Sequence, residues 1–335
     1  MSFKYIIYTV LVGAALSLVG CSLIDEDYSG CGTDFQLDYQ LRLVTNITTE
    51  LETQLGLEAD VEMNGILKDY LKDIFTDYAR DVDLSFYDTE PPMVRLNHMQ
   101  EVMNGSESNY TLYLPVRKYR HTAVANILNN GSVTLEGDEE CSTAHLVQKE
   151  SSGEVPPHST GLFTARKDID VLSGKDQRFD VRLFMANAAS ALVVDWKEAS
   201  TVKDLSVTVS GFASGFNISD STYVFAARDA VMATRKLETD SKDKACFVSV
   251  HFPSHTEPGT KASDTPLWSW TVHAFMQDGT VTESVIHMYN PLLAGNVKIL
   301  NAKLQDTGIV TTADPTVGVS VTLDWHAGDE YNTDL

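Results

Sequence analysis

The sequence lacks the short motifs that carry most catalytic chemistry. Neither a Gly-x-Ser-x-Gly nucleophile elbow nor a Gly-x-x-x-x-Gly-Lys phosphate loop occurs in its 335 residues. The two most closely spaced histidines, His251 and His255, flank Pro253, which breaks the helix that a helical zinc site requires. We therefore expect no catalytic site, no metal site and no cofactor, and we interpret both histidines as residues of a loop or a strand end.

Positive charge is also scarce. The chain has 25 Lys and Arg residues against 47 Asp and Glu residues, which gives a formal net charge of -22. A surface this acidic repels the phosphate backbone of DNA and RNA, so we exclude nucleic acid as a partner.

Long apolar runs are rare, and the longest lies at the amino end. Lys4 precedes a largely apolar stretch over residues 5–19, which is short for a membrane span of about 20 residues and typical of a signal peptide. The stretch ends in Gly20-Cys21, where a lipoprotein signal peptidase would cut. We predict that residues 1–20 are a signal peptide and that Cys21 is lipidated. The alternative is a membrane-anchoring helix with an incidental cysteine.

Residues 21–33 follow as a predicted lipidated tether. Asp25, Glu26 and Asp27 stand shortly after Cys21 and resemble the surface-export signal of lipoproteins in the Bacteroides group. We therefore expect a protein anchored in the outer membrane by its lipid and displayed on the cell surface. An ordinary acidic tether is the alternative interpretation.

Cysteines number four, and none of their spacings is a zinc pattern. With Cys21 carrying lipid, three thiols remain, and an odd number leaves at least one outside any internal disulfide. Cys31 and Cys141 form a possible disulfide between the start of the mature chain and the end of its first half. Cys246 lies in an alternating apolar run and is expected to be a buried core thiol.

Apolar periodicity predicts a mainly β protein with one helix. Apolar residues in steps of three and four over residues 63–78 predict an amphipathic helix. Most of the rest alternates apolar with polar residues between turn-rich pieces, as the strands of β-sandwiches do. Because residues 149–160 have loop or linker composition, we predict two tandem β-sandwich domains, over residues 34–160 and 161–335, with the helix inserted in the first.

Two further features have a functional and a structural interpretation. The acidic run Glu136-Gly137-Asp138-Glu139-Glu140 could bind calcium but lacks the spacing of a calcium loop, so we expect a solvated loop. Trp268 and Trp270 share one face of a predicted strand. They could stack on a sugar ring, but core or interface packing is the more common role of such a pair.

Several of these pieces occur together in a known family. They are the Cys21 lipobox, the segment Asp-Glu-Asp-Tyr-Ser-Gly-Cys-Gly at residues 25–32, the helix, and the strand patterns at residues 82–88 and 321–325. In this order the chain resembles the Bacteroides-type fimbrial anchor lipoproteins, the FimB/Mfa-like fimbrial subunit family. The resemblance implies two transthyretin-like β-sandwich domains and no enzyme activity.

The resemblance also implies a function and partners. A protein of this family would anchor or cap a fimbria at the outer membrane, with fimbrial shaft or accessory subunits as partners and strand exchange as the mode of contact. The carboxyl-terminal strand that ends at Trp325, with the tail over residues 328–335, is one candidate for that contact, and an ordinary final strand is the alternative. A surface glycan-binding lipoprotein of a nutrient-uptake system is the alternative function.

Overall fold

The computed structural model describes residues 33–41, 61–75, 79–102, 109–128, 130–150, 153–173, 177–227, 230–238, 242–256, 265–314 and 317–326. The described part of the chain is mainly β, which confirms the predicted fold class. Its helix is α1 (Val61–Ile74). The strands are, in chain order, β1 (Thr33–Leu41), β2 (Asp81–Asp88), β3 (Arg95–Val102), β4 (Asn109–Leu114), β5 (Lys118–Ala125), β6 (Val133–Glu136), β7 (His145–Gln148), β8 (Phe163–Asp170), β9 (Gln177–Met185), β10 (Ala188–Asp195), β11 (Val202–Ser210), β12 (Gly215–Asn217), β13 (Thr222–Val224), β14 (Val231–Ala233), β15 (Arg235–Leu237), β16 (Lys244–His251), β17 (Trp268–Met276), β18 (Thr280–Met288), β19 (Val297–Leu304), β20 (Val310–Thr312) and β21 (Val317–His326).

The first core lies under a seven-stranded sheet of order β3-β2-β5-β8-β9-β1-β4. Strands β8 and β9 are joined by only two residue pairs, Phe163 with Met185 and Thr164 with Phe184. Both halves of the sheet supply side chains to one apolar cluster. Each strand can contribute every second side chain to this cluster, because successive side chains of a strand point to opposite faces of the sheet.

Helix α1 packs into this same core. Met63, Leu67 and Leu71 are buried at steps of four, whereas Asp69 and Lys72 are exposed. This is the spacing of one face of an α-helix. The predicted helix is confirmed, although residues 76–78 lie outside the described residues, and its apolar face is part of the main core.

The second core lies between two five-stranded sheets, of order β15-β16-β10-β19-β20 and β14-β11-β17-β18-β21. Strand β10 is the centre of the first of these sheets and pairs antiparallel with β16 and parallel with β19. Its residues Ala189 and Ala191 face the first core, whereas Leu192 and Val194 face the second. The sheet is therefore a middle layer, and both of its faces are buried.

The predicted border near residue 160 does not coincide with a break between sheets. Strands β8 and β9, which the sequence assigned to the second domain, complete the sheet of the first half. The predicted linker, residues 149–160, is an irregular segment that is partly buried in the protein, as Val155 and His158 show. Loop composition marks the segment correctly, but strand pairing across it is non-local and leaves no local signal. The division into two tandem domains stays a prediction.

Candidate functional site

The predicted cysteine sites fall largely outside the described residues. Cys21 and Cys31 both do, so lipidation and the Cys31–Cys141 disulfide stay predictions. Cys141 is buried and forms no disulfide with a described residue, and burial raises its pKa. Cys246 is buried in the first core, as predicted, and burial raises its pKa to about 12. Neither of these two thiols is placed to react with solvent.

Both tryptophans pack in the second core, which confirms the structural interpretation. Trp270 is 0% exposed and Trp268 is 2% exposed. The indole nitrogen of Trp268 donates a hydrogen bond to the backbone oxygen of Asn290 at 3.0 Å. These two rings cannot form a sugar-binding platform at the surface.

The two neighbouring histidines point to different partners. His251 is fully buried, and its ring stacks on Phe212. His255 stacks on Phe225, with ring centroids 3.8 Å apart. Burial lowers the pKa of His251 to about 3, so this imidazole is neutral at physiological pH. Each ring has a packing role.

The acidic run at residues 136–140 forms a turn that is mostly exposed. Asp138 forms an ion pair with Arg95 at the start of β3. The hydroxyl of Tyr87 donates a hydrogen bond to the backbone oxygen of Asp138 at 2.8 Å. The turn is therefore fixed against the first sheet.

One sheet edge stands out as a candidate for contact with another protein. Strand β21 is the last strand of its sheet, and it pairs with β18 on one side over residues 317–326. No strand among the described residues pairs with its other side. Ten residues of backbone are thus available to a partner strand, because an edge strand presents N–H and C=O groups at its outer side.

The side chains of β21 make this edge apolar. Val319 lies opposite Ile286 and Val321 lies opposite Ser284, and both of these β18 residues are fully buried. Cross-strand partners share a face of the sheet, so both valines are on the core-facing side. Each is nevertheless 37% exposed. The core is incompletely covered along this edge.

Charge does not protect the edge. Residues 317–323 of β21 contain no Asp, Glu, Lys or Arg, whereas natural edge strands are commonly blocked by charged side chains. The edge strand β3 of the first sheet contrasts with it. It carries Arg95 and Glu101, and the bridge between Val94 and Glu140 covers its start. Strand β4 is uncharged but has only six residues.

A cleft of about 300 Å³ lies on another side of the molecule. It runs between strands β8 and β9 on one side and strands β12 and β13 on the other, and Phe184, Phe216 and Tyr223 line it together with Arg166. Phe184 is 54% exposed. The cleft joins aromatic rings to a cationic group.

Comparison with known proteins identifies the family. The profile of the fimbrillin-A associated anchor proteins Mfa1 and Mfa2 matches residues 49–244, more than half of the chain. The chain belongs to the fimbrillin-A associated anchor protein family. This gives it a fimbrial role and an association with the cell surface, in a family without enzyme activity. No curated protein matches the sequence.

Two solved structures of low identity share the fold of this chain. A candidate adhesin from Bacteroides thetaiotaomicron has a TM-score of 0.52 at 9% identity, with 88% of this chain and 98% of that chain covered. A candidate adhesin from Bacteroides ovatus has a TM-score of 0.50 at 13% identity, with 80% and 87% covered. The fimbrial anchor protein Mfa2 from Porphyromonas gingivalis gives 0.48 at 10% identity, with 88% and 100% covered.

No helix among the described residues has both the length and the apolar character needed to cross a membrane.

Proposed function

We propose that this protein is an outer-membrane lipoprotein that anchors or caps a fimbria at the cell surface and so supports adhesion. Cys21 would carry the lipid, and β21 would accept an extended segment of a fimbrial shaft or accessory subunit. The observation that carries the proposal is the uncharged stretch over residues 317–323 of β21, with Val319 and Val321 each 37% exposed on its core-facing side.

Strand addition explains how such an edge would bind. Main-chain hydrogen bonds along β21 would supply affinity, and alternate side chains of the added strand would supply specificity. The added strand would also cover the exposed parts of Val319 and Val321, and removing apolar area from water contributes about 25 cal/mol per Å². The site would therefore favour an extended segment with apolar residues at every second position.

A charge on the core-facing side of β21 tests this mode of contact. Val321→Lys places an ammonium group where the added strand would bury it, so cells with this variant are expected to release fimbriae into the medium. Thr322→Lys is the matched control, because Thr322 pairs with Glu283 on the opposite face and its lysine would remain in water. Fimbriae retained by Val321→Lys as by wild type, with both variants folded, would argue against β21 as the site.

The lipid anchor needs its own test. Cys21→Ala removes the proposed acylation site, and we expect the variant and its fimbriae in the soluble fraction instead of the outer membrane. Metabolic labelling with a fatty-acid analogue should label the wild type and not the variant. A variant that stays in the membrane fraction with its fimbriae would contradict anchoring through Cys21.

The cleft favours a second candidate function, the binding of glycans at the cell surface. Exposed Phe184 could stack on the apolar face of a sugar, and Arg166 could bind a carboxylate or hydroxyl groups. Affinity electrophoresis on a panel of polysaccharides, with Phe184→Ser as the variant, tests it. Retardation of the wild type but not the variant would favour this function over fimbrial attachment alone.

A further inference from the structure

Three potential metal ligands converge on the face of the first sheet that is turned away from α1. Asp83 of β2, His98 of β3 and Asp138 of the turn after β6, here called the Asp83 cluster, each offer one ligand atom, and these atoms lie within 4.8 Å of one another. Strand pairing explains the first two. Asp83 pairs with Gln100, and Ser85 pairs with His98, so all four side chains share one face.

Asp83 is the unusual member, because it is a buried carboxylate to which the described residues offer no permanent countercharge. It is 2% exposed. Its Oδ2 atom accepts one hydrogen bond from Gln100 at 2.7 Å and lies 2.9 Å from Nε2 of His98. The hydroxyl of Ser85 approaches Oδ1 only to 3.5 Å, longer than an ordinary O–H···O hydrogen bond. A buried carboxylate normally requires a cation, and His98 provides one only when it is protonated.

The turn that contributes Asp138 is held in place independently of the cluster. The backbone nitrogen of Arg95 donates to the oxygen of Glu139 at 2.8 Å, and Cys141 donates to the oxygen of Met93 at 3.1 Å. Gly137 has a φ of +63°, and a Cβ atom there would lie 2.4 Å from the backbone oxygen of Thr143. The turn therefore requires glycine, and its geometry sets Asp138 beside Asp83 and His98.

We propose that the Asp83 cluster binds a divalent metal ion of the zinc type. One imidazole nitrogen with two carboxylate oxygens is a donor set that zinc accepts, with water at the remaining position. At metal–ligand distances of about 2.1 Å, tetrahedral ligands lie about 3.4 Å apart. Nε2 of His98 and Oδ2 of Asp83 need to separate by only about half an ångström to admit the ion.

The site has a structural consequence. Its ligands come from β2, from the edge strand β3 and from the turn at residues 137–140, so the ion would tie three segments together. Arg95 forms its ion pair with Asp138, which leaves the charge of Asp83 for the ion to balance. The metal would thus fix the β3 edge of the first sheet, at a place different from the β21 edge.

Thermal unfolding and calorimetry of the chelator-treated full chain test the proposal. We expect ZnCl2 to bind with one equivalent at this site and to raise Tm by at least about 3 °C when free zinc exceeds Kd a hundredfold. His98→Gln and Asp138→Asn should each weaken binding at least tenfold while the metal-free Tm stays close to that of the wild type. Both residues are partly exposed, so neither change is expected to prevent folding.

A second histidine–carboxylate pair provides the matched control. His273 lies 3.0 Å from Glu283 on the outer face of β17 and β18, and it belongs to no three-ligand group of the described residues. His273→Gln should leave zinc affinity unchanged. The proposal is overturned if zinc gives neither heat nor a Tm shift, if His98→Gln binds as the wild type does, or if only CaCl2 stabilises the protein.

Discussion

The imidazole of His251 stacks on the phenyl ring of Phe212, with the ring centroids 3.5 Å apart. Its Nδ1 lies 2.8 Å from the backbone oxygen of Phe252, and its Nε2 lies 2.9 Å from the hydroxyl oxygen of Ser190. Because a carbonyl oxygen can only accept, Nδ1 carries the proton and Nε2 accepts from Ser190. Protonation of Nε2 would remove that acceptor and place a charge among buried rings.

Acid should therefore destabilise the protein strongly. Burial lowers the pKa of His251 and of His158 to about 3, and that of His121 to about 4. The unfolded chain, with a histidine pKa near 6.5, binds more protons than the folded protein below that pH, so the free energy of unfolding falls as pH drops from about 6.5 toward 4. Each histidine contributes a slope of up to about 1.4 kcal/mol per pH unit, which urea titrations at several pH values would measure.

One substitution isolates a single histidine in that slope. His121→Phe keeps a ring against Phe86 and removes the titrating group, so the slope should fall by about 1.4 kcal/mol per pH unit below pH 6. An unaltered slope in His121→Phe would show that this residue is protonated in the folded protein.

Helix α1 should behave as part of the core. Leu71→Ala leaves a cavity at a fully buried position and is expected to lower the free energy of unfolding by about 2–5 kcal/mol. Lys72→Ala, one residue later on the exposed face, should change it by less than about 0.5 kcal/mol. If chemical denaturation shows equally small changes in the free energy of unfolding for both variants, the helix does not contribute to the core.

Two glycines with similar backbone angles separate steric conflict from backbone strain. Gly211 and Gly279 have φ values of +97° and +89°. A Cβ at position 211 would lie 2.6 Å from Cα of Trp268, whereas one at position 279 would meet nothing within 4 Å. We expect Gly279→Ala to cost about 1 kcal/mol in unfolding free energy and Gly211→Ala at least about 2 kcal/mol more. Similar costs would contradict the close approach at Trp268.

Thiol counting tests the predicted disulfide. Native protein should resist a thiol reagent at Cys141 and Cys246, since both are buried. After unfolding without reductant, one reactive thiol, that of Cys246, is expected if Cys31 and Cys141 are bonded. Three reactive thiols, with Cys21 acylated, would contradict the pairing.

The sequence predicted the parts of the fold whose signal is local. Period-two alternation located β16, β17 and β21, and steps of three and four located α1. Strand β10 was harder to interpret, because both of its faces are buried and its small residues alternate little. The small sheet of β13, β12, β7 and β6 joins distant parts of the chain through short strands, and short strands leave too few residues for a period to be recognised.

The candidate sites were harder to predict from the sequence than the fold, because they depend on which strands pair. The sequence pointed to the final strand, but the open edge follows from its place beside β18 and the partial exposure of Val319 and Val321. The Asp83 cluster was not predicted, because His98 follows Asp83 by 15 positions and Asp138 follows His98 by 40. Only the β2–β3 register and the turn at residues 137–140 bring the three side chains together. Polar residues at every second position of β2, namely Asp81, Asp83 and Ser85, were the available signal.

Cross-linking in cells tests the assembly edge most directly. A photoreactive amino acid at position 321 would lie where the added strand is proposed to bind, and one at position 206, exposed on β11 on the other side of β17, serves as the control. After irradiation, mass spectrometry should identify a fimbrial subunit joined to position 321 and not to position 206. No adduct at position 321, or the same adducts at both positions, would contradict the proposal that β21 joins this protein to the fimbria.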